Sequence, residues 1–334
     1  MDLDPIYLAG IERSGTSLMF ALLASHPRIA MTRRTNLWTY FYRQYGDLGQ
    51  EDNLDRCLAM MARYKRLRPL QIDFQRLKAD FIAREPSYPR LFALLEGQVA
   101  QRLGKPRWGD KSLNTERYAE AIFAAYPRAK IIHMIRDPRD RYASARSRWK
   151  KMTGKAGAGA AMWMASAKLA RENQQRYPDR YLVLRYESVV AQPEETLRQV
   201  CAFLGEPYAP EMLTMEGAPR LLEKGGNSSY GKRERGVIAS DSVAKYRKVL
   251  SPAEIAFIQG YCKSEMQEYG YAMDAIGFSL PERISYWLLD QPANLLRMAG
   301  WTLKERVQNM TGRKLPARRL VPQAEPAQAA LPQP

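Results

Sequence analysis

The sequence predicts an α/β fold, a phosphate-loop-like parallel sheet flanked by helices with a helical C-terminal extension. Three observations predict it. The apolar run Ile6-Tyr7-Leu8-Ala9 enters a turn of Gly, Ser and Thr and leaves it at helical spacing. Further apolar runs at 131–135 and 181–184 each stand beside helical stretches. Strands that alternate with helices pack best as a parallel sheet covered on both faces.

The elements follow in order. Leu18, Met19, Leu22 and Leu23 recur on one helical face, and His26-Pro27 ends that helix. Stretches 56–68 and 91–103 read as amphipathic helices. Asn114 is placed to cap a helix over 115–125, which Tyr126-Pro127 terminates. After the strand at 131–135 a helix runs over 138–150. Residues 154–159 are glycine-rich and expected to be flexible, and a long helix over 160–176 leads to the strand at 181–184. Pro193 suits the first turn of a helix that reaches Leu204 and closes at Gly205. Residues 221–236 hold Gly, Ser and charge without periodicity, which reads as a functional or mobile loop. Helices resume near 241 and 253 and end at Tyr269-Gly270. The chain divides into a catalytic-type domain over 1–275, a basic amphipathic extension over 276–315, and a Pro/Ala/Gln tail over 316–334 expected to be disordered.

Composition narrows the classes. Hydrophobic residues at 46% and charged residues at 26% exclude wholesale disorder. No apolar run reaches the roughly 18 residues of a membrane span, and the acidic start Met1-Asp2-Leu3-Asp4-Pro5 lacks the layout of a signal peptide. Three cysteines (Cys57, Cys201, Cys262) and two histidines exclude a disulfide framework and a His- or Cys-rich metal centre. A cytoplasmic protein is therefore expected, with peripheral membrane contact as the variant. The net charge of +17 favours an anionic partner. Residues 136–151 alone carry seven basic side chains against two acidic ones.

The most informative segment is Gly10-Ile11-Glu12-Arg13-Ser14-Gly15-Thr16-Ser17 between strand and helix. Against the pattern G-x-x-x-x-G-K-[ST] it keeps both glycines and the last hydroxyl, but Thr16 replaces the lysine. Backbone N–H groups and a helix N-terminus still form an anion cradle, with Ser14, Thr16 and Ser17 as extra donors. The lysine that reaches β- and γ-phosphates is gone, and the strand at 131–135 ends in Arg136 rather than a metal-binding carboxylate. Such a site suits a nucleotide phosphate held without metal, and suits Mg-NTP hydrolysis poorly. A second cluster begins at Arg136, at the carboxyl end of its strand. Ser144 and Arg148 share a helical face four residues apart, so Arg136, Ser144 and Arg148 are placed to clamp a second phosphate.

RSGTS at 13–17, HMIRDPRDRYASARSR at 133–148 and LRYESVVAQPEETLRQVCAFLG at 184–205 together resemble the sulfotransferases that use 3′-phosphoadenosine 5′-phosphosulfate (PAPS). The order, over roughly residues 6 to 270, is most similar to the branch of protein-tyrosine and bacterial carbohydrate or lipid sulfotransferases. The resemblance implies metal-independent sulfuryl transfer to an acceptor hydroxyl, with PAPS as co-substrate. It implies Arg13, Ser14, Gly15, Thr16 and Ser17 on the 5′-phosphosulfate, Arg136, Ser144 and Arg148 on the 3′-phosphate, and Tyr186 beside the nucleotide. Ser228, Ser229, Lys232 and Arg233, with Lys245 after them, stand where the family closes a basic flap. Arg13, Lys111 and Ser229 are the implied catalytic groups, Lys111 because Trp108-Gly109-Asp110-Lys111-Ser112 reads as a strand end beside a helix start. A salt bridge of Lys111 to Asp110 or Glu116 is the structural alternative.

The general base stays unassigned. The segment Met31-Thr32-Arg33-Arg34-Thr35-Asn36-Leu37-Trp38 has no carboxylate where the tyrosine-sulfating branch places a glutamate, which argues against tyrosine as acceptor. Glu12, Asp47 and Asp52 are the nearest carboxylates, and both histidines are expected to be packed structurally. A carbohydrate or glycolipid acceptor is expected. Trp38, Tyr40, Phe41, Tyr42 and Tyr45 beside Arg33, Arg34 and Arg43 read either as its site or as a hydrophobic helix face. The segment 284–319 reads as a membrane-surface helix or a homodimer element. Alternatives for the whole chain are an inactive PAPS-binding homologue and a P-loop kinase or NTPase. A nucleic-acid-binding module is disfavoured because the basic residues sit at strand ends rather than along an open face.

Overall fold

Five short strands form one parallel sheet in the computed structural model, which describes residues 4–223, 237–311 and 314–321. The strands are β1 (Ile6–Ala9), β2 (Ile29–Arg33), β3 (Arg107–Lys111), β4 (Lys130–Ile135) and β5 (Tyr181–Arg185), in the order β2-β3-β1-β4-β5. The expected fold class is thus observed. Side chains alternate across each strand. Ile6, Leu8, Ile132 and Met134 face one buried cluster with helix α1 (Thr16–Ala24). Tyr7, Ala9 and Ile131 face another, rich in aromatics: Tyr7 stands edge-on to Trp38 and Trp108.

β2 is missing from the sequence expectation, and β3 is anticipated only as a strand end at 108–112. β2 ends in Arg33, and β3 holds Arg, Gly, Asp and Lys, so neither reads as an apolar run. Part of their polar complement is satisfied in the sheet, although Trp108 Nε1 has no partner among the described residues. Thr32 donates to Glu96 Oε1 and Asp110 Oδ1, each at 3.0 Å. Gly109 is required by packing, since a Cβ there would meet the Ile6 carbonyl at 2.7 Å. The register sets Arg33 opposite Lys111 at the carboxyl ends of β2 and β3.

The remaining long helices are α2 (Glu51–Arg63), α3 (Phe74–Ile82), α4 (Tyr88–Arg102), α5 (Pro138–Arg148), α6 (Ala156–Arg176), α7 (Pro193–Leu204), α8 (Pro252–Tyr261) and α9 (Gln291–Thr311). The segment expected to be flexible at 154–159 instead enters α6 at Ala156. Its Gly157 lets α9 approach: the Gly157 N–H donates to Asn294 Oδ1 at 2.9 Å, and a Cβ at Gly157 would collide with the Asn294 carbonyl. The extension after 276 is therefore packed onto the body of the protein, with Arg117 paired to Glu305 at 2.8 Å.

Residues 316–321, assigned above to a disordered tail, are ordered against the end of α2. Leu320 bridges Tyr64 in antiparallel fashion, the Lys65 N–H donates to the Arg319 carbonyl at 3.0 Å, and the Val321 N–H donates to the Arg63 carbonyl at 2.9 Å. Backbone pairing overrides the polar, proline-rich composition there. The rest of that tail lies outside the described residues.

Candidate active site

The loop after β1 has the backbone its glycines predict. Gly10 takes φ 119° and Gly15 φ 91°, and a Cβ at Gly15 would meet the Tyr186 ring at 2.4 Å. Arg13 is also left-handed, at φ 76°, a conformation that costs a non-glycine residue roughly 1–2 kcal/mol. The surroundings hold it there. Arg136 Nη1 donates to the Arg13 carbonyl at 3.2 Å, and the fully buried Arg141 donates from Nε to the Glu12 carbonyl at 3.2 Å. Arg141 was not singled out from the sequence, although it lies in the RDPRDRY run. Its role is to pin the loop to α6, where Nη1 reaches the Gly159 carbonyl at 3.2 Å.

The second cluster differs from expectation in its partners. Ser144 is buried on α5, but its Oγ accepts from Arg13 Nε at 2.9 Å and Nη2 at 2.8 Å. Arg136 Nη2 donates to the Ser242 carbonyl at 2.6 Å, and its guanidinium lies 4.5 Å from the centroid of the Tyr186 ring. Trp163 Nε1 holds the Arg136 carbonyl at 2.8 Å. Arg148, at the exposed end of α5, lines the cavity beside the loop. Asp140 accepts from the N–H groups of Ala244 and Tyr246 at 2.6 and 2.8 Å, which fastens the stretch containing Ser242 and Lys245 against α5. Ser228, Ser229, Lys232 and Arg233 lie outside the described residues.

The cavity beside the loop has a volume of about 720 Å3. Glu12, Arg13, Thr16 and Ser17 form one wall, and Lys111 and Asn36 lie at the floor. Arg33, Arg34, Lys65, Arg66, Arg148, Arg318 and Arg319 also line it, with Leu113 and Trp149. Nine lining side chains are cationic and one, Glu12, is a carboxylate. Lys111 is buried, and its ammonium is pushed down to about 7 by burial and then by the nearby Arg34 and Arg33 charges. Its ion pair with Asp110 or Glu116 is not formed. The Asp110 carboxylate turns instead to Thr32, where burial raises its pKa.

Among the described residues, three buried polar atoms in this region have no partner: Ser14 Oγ, Arg136 Nε and Ser242 Oγ. An unpaired buried donor costs on the order of 1–3 kcal/mol. Ser14 belongs to the loop itself, and Arg136 lies beside it, donating to the Arg13 carbonyl. The aromatic cluster near 38–45 serves the core: Trp38 and Phe41 are buried, and only the arginines before it reach the cavity. Both histidines are packed. His133 contacts Tyr181 Oη at 2.6 Å and Ser166 Oγ at 3.0 Å, and His26 contacts the Pro207 carbonyl at 2.9 Å.

A parallel sheet whose first strand opens into a left-handed, glycine-bounded loop at a helix N-terminus defines a phosphate-loop α/β protein. More narrowly, the chain belongs to the sulfotransferase family, whose sequence pattern matches residues 5–210. Carbohydrate sulfotransferase 3 of Tetronarce californica is 28% identical over 185 residues, 48% of this chain and 41% of that protein. The protein-tyrosine sulfotransferase of Drosophila melanogaster is 25% identical over 249 residues, 72% of this chain and 44% of that protein. The chain thus spans less than half the length of these two relatives. Among solved structures, the sulfotransferase domain of the Synechococcus PCC 7002 olefin synthase superposes with a TM-score of 0.56 at 21% identity. That match covers 82% of this chain and 97% of that domain, and it bears on the fold.

Proposed function

We propose that the protein transfers a sulfuryl group from PAPS to a hydroxyl of a carbohydrate or glycolipid acceptor. The observation that carries this reading is the loop at 10–17, aimed into a cavity with nine cations and flanked by unpaired buried donors, in a chain of the sulfotransferase family. The donor supplies an activated sulfuryl group. Arg13, Thr16 and Ser17 bind its 5′ end, with Ser14 Oγ and the loop N–H groups as further donors. Arg136 stacks on Tyr186 and offers its unpaired Nε to the 3′-phosphate. Ser144 acts through Arg13, which it orients. Preorganised cations matter most where charge grows, here on the departing 5′-phosphate. Lys111 meets that need: its charge is suppressed by burial and by neighbouring cations, and an anionic donor restores it.

Glu12 takes the proton of the acceptor hydroxyl in this reading, as the one carboxylate lining the cavity among the described residues. The acceptor oxygen bonds to sulfur, the bond from sulfur to the 5′-phosphate breaks, and the proton goes to Glu12. Glu12→Gln should slow transfer about 10²–10⁴-fold while leaving nucleotide affinity intact. Unchanged turnover would remove Glu12 from this role. The reading as a whole is tested by titration with 3′,5′-adenosine bisphosphate, with 5′-AMP and Mg-ATP as controls. Preference for Mg-ATP would favour a kinase or NTPase, and bisphosphate binding without transfer to any acceptor would favour an inactive homologue.

A membrane-surface contact is part of the proposal. No helix among the described residues is long and apolar enough to cross a membrane. The stretch from 280 onward nevertheless exposes Leu280, Ile284, Trp287, Leu288, Leu296 and Leu303, each more than half exposed, with Arg283, Arg297, Lys304 and Arg306 interspersed. Apolar bodies with basic neighbours suit an anionic lipid interface. Sedimentation with phosphatidylglycerol vesicles should capture the protein. A concentration-dependent dimer without vesicle binding would assign the face to self-association.

A further inference from the structure

Six of the cavity's cations have no task in binding the donor: Arg33, Arg34, Lys65, Arg66, Arg318 and Arg319. They come from three separate stretches, the end of β2, the turn after α2 and the short C-terminal segment at 314–321. None of the six is ion-paired among the described residues. Hydrogen bonds at their side chains go to neutral groups, Lys65 Nζ to the Arg318 carbonyl at 3.0 Å and Arg319 Nη1 to Tyr40 Oη at 2.7 Å. The wall is also built rather than incidental. Arg34 is left-handed at φ 61°, and its carbonyl accepts from Asn36 Nδ2 at 2.7 Å and Tyr64 Oη at 3.2 Å. Asn36 and Tyr64 are themselves buried and bonded to each other at 2.7 Å. Burial, and then repulsion by Arg34, Arg66 and Arg220, lowers the pKa of Arg33; burial and Arg66 do the same for Arg34.

Gathering like charges opposes folding unless a counter-charge meets them. Glu12 alone cannot balance the wall, and the donor's phosphates have their own partners at the loop. We infer, resting on the transfer reading above, that the acceptor is itself anionic: a hydroxyl compound carrying a phosphate or sulfate ester that docks on this wall. Guanidinium forks match the tetrahedral oxyanion of either ester. The anchor would hold the acceptor hydroxyl across the cavity from the loop.

The test fills the donor site first. Protein saturated with 3′,5′-adenosine bisphosphate is titrated calorimetrically with inorganic pyrophosphate, and in parallel arms with N-acetylglucosamine 6-phosphate, N-acetylglucosamine 6-sulfate and unsubstituted N-acetylglucosamine. A saturable second event is expected with pyrophosphate, together with a preference for charged over neutral sugar, and the stronger of the phosphate and sulfate arms names the ester. Arg66→Ala and Arg318→Ala, both at exposed positions, should each weaken that event roughly tenfold or more and leave bisphosphate affinity unchanged. Arg34→Ala should weaken that event too, with Arg34→Lys partly restoring it. Bisphosphate binding without a second event, or a second event that survives these substitutions, overturns the inference alone. Failure of bisphosphate to bind, with pyrophosphate still bound at the wall, overturns the transfer reading instead and supports the anion site.

Discussion

Under the transfer reading, Lys111 should make nucleotide binding a proton-uptake reaction. The perturbation is pH, and the magnitude follows from the site. In the free protein the ammonium sits at about 7, from burial and from the charges of Arg34 and Arg33. A bound polyanion reverses the second cause and moves the group back toward its ordinary range. Between those two values the complex holds a proton that the free protein lacks, so affinity falls as pH rises. With a free value near 7, roughly 0.9 proton is taken up at pH 8, and affinity drops about tenfold from pH 6 to pH 8 and a further tenfold by pH 9. The nucleotide's own phosphates titrate near pH 6 and gain charge as pH rises, which works in the opposite direction. Calorimetry with 3′,5′-adenosine bisphosphate at pH 8, in two buffers of different ionisation enthalpy, reads the proton count directly. Lys111→Met should abolish the uptake and flatten the profile above pH 7. Equal uptake by wild type and variant would refute the assignment, as would parallel affinity profiles for the two from pH 6 to pH 8.

Further outcomes are expected. Gly15→Ala forces a Cβ into the Tyr186 ring at a left-handed φ; bisphosphate affinity should fall at least tenfold, and a crystal structure should show the ring displaced. Arg136→Ala should remove measurable bisphosphate binding, while Trp163→Phe, which frees the Arg136 carbonyl, should weaken it several-fold and lower stability by about 1–3 kcal/mol in a denaturant melt. His133, whose pKa is lowered chiefly by burial, is neutral in the folded protein. The unfolded chain binds its proton first, so this residue's contribution to stability is lost as pH falls below about 6.5. Melting of His133→Phe should show a shallower acid limb than wild type, and parallel limbs would reject the account.

The sequence made the donor side legible and the acceptor side obscure, for a physical reason. Gly10, Gly15 and the hydroxyls of the loop are contiguous, and their spacing alone implies a cradle. β1, β4 and β5 are apolar runs that periodicity finds. β2 and β3 escape it because Thr32, Asp110 and Lys111 are buried polar residues, satisfied or compensated only once the sheet exists. The cationic wall joins residues 33, 66 and 318, whose proximity depends on how α2 returns toward the sheet and on one antiparallel bridge. Ser144 was found, but its partner was not. That Arg13 rather than a neighbour on α5 takes its hydroxyl is a consequence of the left-handed turn at Arg13.

The strap at 314–321 gives the cleft two walls of unequal mechanical character. The loop wall is tied down by the buried Arg136 and Arg141, which bond the Arg13 and Glu12 carbonyls. The strap is held by backbone hydrogen bonds, side-chain bonds from Arg63 and Lys65, and Arg319 on Tyr40, with Arg318 at its exposed surface. Local opening of such an element costs far less than global unfolding. Hydrogen exchange at the amides of Lys65 and Val321 would therefore be fast while the strands stay protected. One side of the cleft is thus expected to open locally while the other keeps its shape.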